Sequence, residues 1–169
     1  LASTQELSQS LEKAAEAFGV KKEVLEKLAV VNSLKEGNVN DKNMEKARQA
    51  SEEANEIIKQ RMQEAKAPSI EDKKLIAESM IHLTKGIQQE SALIGQVQNL
   101  SNQAQSAISS ASPLEILKVK DIASTAFMLT KNIPLDLKLT KDILSSYVQY
   151  AKANNIAVPG NATGLLKDE

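Results

Sequence analysis

The chain contains no cysteine and no tryptophan, and its aromatic residues are limited to Phe18, Phe127, Tyr147 and Tyr150. Without cysteine there are no disulfides, no thiolate nucleophile and no zinc–thiolate site. So few aromatics argue against a β-sandwich or barrel, whose pleated surfaces draw on Tyr, Phe and Trp. His82 is the single histidine, and no Gly-x-Ser-x-Gly turn occurs, so a serine nucleophile would have no base and no orienting third group. The glycine-rich phosphate loops, Gly-x-x-x-x-Gly-Lys-Ser/Thr and Gly-x-Gly-x-x-Gly, are both absent. No stretch approaches the ~18–20 apolar residues of a membrane-spanning helix. Charge of one sign is missing too. The net charge is −1, with lysines scattered among acids, which disfavours nucleic acid as a partner.

What is present is aliphatic and periodic. Ile76, Met80, Leu83, Ile87, Glu90, Ile94, Val97, Ser101, Ala104 and Ile108 follow one another in steps of four and three. This is a heptad seam across more than four heptads, and it predicts one long helix over 69–110. At 1.5 Å per residue that helix is roughly 60 Å long, enough to be the spine of the molecule. The expected fold is all-α: an antiparallel bundle of about six helices organised on this spine, forming a single domain over 1–155 with an irregular tail over 156–169.

The other elements follow in order. Ser3 with Glu6 has the spacing of a capping box and starts a first helix, with Leu7, Leu11, Ala14, Ala15 and Phe18 on one face and Gly19 as its stop. A second helix begins near Lys21 with Val24, Leu25, Leu28, Val31 and Leu34, and Gly37 ends it. Asn40 or Asp41 caps a third, with a seam of Met44, Ala47, Ser51, Ala54 and Ile58 and a mixed-charge outer face that reads as solvated. The short Ala67-Pro68-Ser69 link predicts that the third helix and the spine are antiparallel neighbours, with Ser69 and Asp72 capping the spine.

Ser112-Pro113-Leu114-Glu115 is the clearest helix start in the chain: a cap residue, proline at the first turn and glutamate at the third position. The helix it opens is apolar nearly all round, from Leu114 to Leu129, which predicts a central element, the most buried of the helices. Asn132-Ile133-Pro134 is expected to break it, with 135–139 extended or starting anew and a last helix over 140–154. Gly86 and Gly95 suggest a bend or loosening in the spine.

Three positions bear on chemistry. His82 falls on the outer flank of the seam, near Glu78 and Lys85. A helical metal site would need paired Glu-x-x-His motifs, so His82 reads as a surface histidine. Glu90 lies in the seam itself. It either fixes register as a paired carboxylate or reaches solvent where the stripe drifts, and the second is the preferred reading. Finally, 91–114 holds no charged residue. Its outer positions are Gln96, Gln98, Asn99, Asn102, Gln103 and Gln105, the candidate interaction surface.

With no catalytic constellation and no expected cofactor or metal, the leading expectation is a non-enzymatic protein-interaction or structural module. The start at Leu1 rather than Met, with the uncharged second half, leads to the expectation of an extracytoplasmic protein, periplasmic or secreted, whose partner is another protein or an envelope component. The alternatives are a membrane-active secreted effector using the amphipathic helix 91–108, and a small-molecule binder or unfamiliar enzyme. A monomer is expected, with a homodimer through the same region as the alternative.

Overall fold

The computed structural model describes residues 2–35, 39–110 and 112–167. They form six helices and no strand: α1 (Ala2–Ala17), α2 (Lys21–Lys35), α3 (Asp41–Glu64), α4 (Ile70–Ser110), α5 (Pro113–Ala153) and α6 (Ala162–Leu165). The all-α bundle on one long helix is therefore observed. α4 is 41 residues, and α1 and α5 both run antiparallel to it. α2 packs on α3, and α3 in turn lies against α1 and α5.

Local signals explain most helix ends. Gly19 takes a left-handed φ of 71°, a conformation that glycine adopts without steric cost, and the chain reverses from α1 into α2 there. The Asn40 side chain accepts from the Asn43 N–H at 2.9 Å and opens α3. At the head of α4 the Ser69 hydroxyl accepts from the Asp72 N–H at 3.0 Å, and the Asp72 carboxylate accepts from the Ser69 N–H at 3.1 Å. Glu115 likewise accepts from the Ser112 N–H at 3.0 Å at the start of α5. Gly37, the expected stop of α2, lies outside the described residues.

The core gathers Leu7, Leu11, Ala14 and Ala15 from α1; Val24, Leu28 and Val31 from α2; Ala54 and Ile58 from α3; Ile76, Met80, Leu83 and Ile87 from α4; and Ile143, Leu144, Tyr147 and Ala151 from α5. Ile156 and Ala162 are buried against the same core, so the segment after α5 docks rather than trails. Between α1 and α4 the contact is made by small residues. Ser10 and Ser79 hydroxyls meet at 2.8 Å inside the core, and a Cβ built on Gly86 would stand 3.6 Å from Glu6 Cβ and from the Ser3 carbonyl. A methyl at Gly86 would therefore meet α1 at ordinary contact distance, and α4 is continuous through Gly86 and through Gly95.

Four expectations are corrected. Pro134 does not end α5, which runs unbroken to Ala153. Proline removes one backbone bond and costs about 3 kcal/mol in a helix interior. Burial of Ile133, Thr140, Ile143, Leu144 and Tyr147 around it outweighs that, and Pro134 and Thr130 both face solvent, where water can reach the carbonyl left without a donor. The first half of α5 is not the most buried helix. Leu117, Ile122 and Phe127 are 66%, 48% and 70% exposed, because α4 is its main companion there. α3 does not lie along α4; the flanks of α4 are taken by α1 and α5. Ser3 and Glu6 do not cap α1, which already includes Ala2; Ser3 is buried and Glu6 reaches across to α4.

Candidate functional site

The seam of α4 places Glu90 where the first turn of α1, the first turns of α3 and the middle of α5 converge. Glu90 is buried, with 4% of its surface exposed, so it does not escape to solvent. The heptad geometry holds it inward, level with Ser3 on α1 and Asp136 on α5. Its Oε2 is buried without a hydrogen-bond partner. Burial, with the neighbouring Asp136 carboxyl adding to it, pushes the Glu90 pKa up to about 8; the Ser3 and Thr140 hydroxyls pull the other way. At neutral pH this side chain is therefore mostly a neutral acid. It can donate a hydrogen bond, or give up its proton when a cation arrives.

Asp136 is handled differently. Its carboxylate takes Arg48 Nη1 at 2.9 Å, and both side chains are largely buried. Burial raises the Asp136 pKa, and the Arg48 guanidinium opposes that rise. Arg48 also donates to the Asn132 Oδ1 at 3.4 Å, and the Asn132 amide donates to Asp41 Oδ1 at 2.5 Å and to the Met128 carbonyl at 2.9 Å. One polar network thus ties α3 to α5, and Asn132, only 2% exposed, is its hub. No local pattern announces it, since Arg48 and Asp136 are 88 residues apart.

Beside this network lies a groove. A cavity of about 290 Å³ is bounded by Ser3, Thr4, Val39, Met44, Glu90, Leu93, Val97, Thr125, Met128, Leu129, Ile133 and Asp136. A smaller one of about 70 Å³ continues it toward Leu7, Ala47, Arg48, Ser51 and Leu139, sharing Glu90 and Asp136. The walls are apolar and the polar atoms converge on one floor, the arrangement of a small-molecule site.

Past Val97 on α4 and Thr125 on α5 the two helices form an arm. From 98 to 125 Ala104 is the one buried side chain among the described residues. The α4 side of the arm extends roughly 20 Å at 1.5 Å per residue. Gln96, Gln98, Asn99, Asn102, Gln103 and Gln105 are all exposed on it. By helical spacing, 96, 99 and 103 form one stripe and 98, 102 and 105 another, on either side of the Val97–Ala104 seam. The structure brings none of them to the Glu90 groove.

His82 departs from the surface reading. Its Nδ1 lies 2.6 Å from Glu6 Oε2, and the two side chains are 22% and 20% exposed, so it clips α1 to α4. Glu78 pairs instead with Lys13 of α1 at 3.1 Å. Among the described residues no three His, Asp or Glu side chains come together as a metal site, and no helix is long and apolar enough to cross a membrane. No protein-family model, curated protein or solved structure matches the chain.

Proposed function

We propose that the protein is a non-catalytic, extracytoplasmic protein-interaction module whose working surface is the α4–α5 arm. The observation that carries this reading is the exposure of Leu117, Ile122 and Phe127 on α5, joined by Leu100 and Ile108 on α4, on a hairpin that holds little core of its own. Fully burying one such side chain is worth about 1.5–3 kcal/mol, so covering the arm is favourable. The apolar residues of α5 go round its circumference rather than along one face. The fitting partner is accordingly another protein whose apolar helices wrap the hairpin and complete a larger bundle. The uncharged flanks, Gln96 to Gln105, support the same reading, because amides can be buried with hydrogen bonds at far less cost than charges.

The test is site-specific photo-crosslinking in the native cell from positions 122 and 127, with position 56 on the charged face of α3 as control. A discrete protein adduct from the arm positions alone is expected; its absence overturns the reading. Flotation with phospholipid vesicles addresses the competing cover: a protein that floats and yields no protein adduct belongs to a bilayer instead. Cell fractionation tests the compartment, and recovery in the cytoplasmic fraction refutes the extracytoplasmic part.

A further inference from the structure

The Glu90 groove meets the base of the arm at Val97 and Thr125, but none of the exposed apolar or amide side chains of the proposed interaction surface lines it. Its space is several times that of a water molecule, which occupies about 30 Å³ in the liquid. Its floor carries two carboxyls. Asp136 is matched by Arg48 at 2.9 Å, and Arg48 is further engaged by Asn132 at 3.4 Å. Glu90 has no such match: its Oε2 is buried at the groove without a partner. What the floor lacks, once Glu90 ionises, is one positive charge.

We propose that this groove binds an organic monocation with a short apolar tail, an alkylammonium-type ligand, its head between Glu90 and Asp136 and its tail along Leu93, Val97, Met128 and Ile133. The alternatives fit worse. An anion would lie against the Asp136 carboxylate and find Arg48 already engaged. A purely apolar molecule would leave Glu90 Oε2 as it is, buried and unpaired, at the cost that attends such a group. A divalent metal asks for more ligands than the floor supplies, since among the described residues no third His, Asp or Glu joins these two. A cationic head supplies the missing charge, and the walls take the tail.

The proton balance follows from the same groups. Among the described residues the charge acting on Glu90 is Asp136 on α5, while Ser3 on α1 and Thr140 on α5 face it with hydroxyls and Arg48 on α3 lies behind Asp136. Glu90, protonated at neutral pH, releases its proton to solvent as the cation binds. A head that is permanently charged therefore binds more tightly as pH rises through about 8.

Octyltrimethylammonium is the probe, titrated calorimetrically into the full chain at pH 7 and pH 9. One saturable site is expected, about tenfold tighter at pH 9, because the ionised fraction of Glu90 rises by about that factor. Octyl glucoside, with the same tail and an uncharged head, and octyl sulfate should not bind there. Glu90→Gln should weaken binding at least tenfold and remove the pH dependence. Met128→Trp, which fills the groove and leaves Glu90 intact, should also abolish binding, with circular dichroism confirming that both variants are folded. Absence of saturable binding by the unaltered chain, equal binding by octyl glucoside, or undiminished binding by Glu90→Gln each overturns the proposal.

Discussion

Replacing Glu90 with glutamine tests the buried carboxyl through stability alone. Glutamine has nearly the shape of a protonated glutamate and cannot ionise. In the folded chain the Glu90 pKa stands at about 8 against an ordinary 4.5. The folded state therefore holds the proton more tightly than the unfolded state does. The resulting stabilisation is fully present below pH 4.5, declines between 4.5 and about 8, and is gone above the folded value. A rise of this size, at about 1.4 kcal/mol per pKa unit, is worth roughly 5 kcal/mol across the window. The assay is thermal unfolding of both proteins, followed by circular dichroism, at each pH from 4 to 9. Below the window the variant should be equal to the unaltered chain or slightly less stable, since the amide places an extra N–H near the Ser3 and Thr140 hydroxyls. Above it the variant should be more stable by several kcal/mol, a shift in midpoint of roughly 10–20 °C for a domain of this size. Carboxyls remote from Glu90 titrate equally in both proteins and cancel in the difference; Asp136, which acts on Glu90, is ionised before Glu90 titrates and changes the difference little above about pH 6. A difference in midpoint that stays constant from pH 4 to 9 would refute the argument, because it would mean that Glu90 ionises freely in the folded chain.

Further outcomes follow from particular contacts. Gly86→Ala should stabilise the protein by roughly 0.5–1 kcal/mol in urea unfolding, since the added methyl meets Glu6, Ser3 and Thr140 at ordinary contact distances of 3.6–3.8 Å and removes the entropic cost of glycine in a helix. A loss of more than 1 kcal/mol would show that α1 lies closer than those distances imply. Pro134→Ala should raise the melting temperature, because it restores an N–H opposite the Thr130 carbonyl on the exposed side of α5; an unchanged or lower value would mean that the backbone geometry set by proline is needed for the packing of Ile133 and Leu137. Arg48→Met should cost roughly 2–4 kcal/mol at pH 7, by leaving Asp136 buried beside Glu90 without its cation, and the loss should shrink toward pH 4 as Asp136 is protonated. A loss that is the same at pH 4 and pH 7 would assign the effect to packing rather than charge.

The sequence by itself determined the helical class, most of the helix starts and most of the core face of α1 to α4. These are local properties. The side chains of Asn40, Ser69, Asp72, Ser112 and Glu115 bond to backbone groups within three residues, and a period of 3.6 assigns Leu7, Leu11, Val24, Ala54, Ile76 and Met80 to one side whatever stands opposite. The tertiary structure decided the rest, because the outcome depended on which helix lay opposite. Pro134 reads as a break in isolation, yet the burial of its neighbours keeps α5 whole. Apolar residues around the first half of α5 read as a buried helix, but burial needs companions, and α4 is the main one that extends that far. Ser3 and Glu6 have the spacing of a cap, and each is instead used by α4. The candidate groove depended wholly on assembly: α4 supplied Glu90 from its seam, α5 supplied Asp136 and Asn132 beside Pro134, and α3 supplied Arg48. Periodicity placed Glu90 on the inner face. Whether it found solvent, a counter-charge or an unfilled cavity was settled only by the convergence of four helices around it.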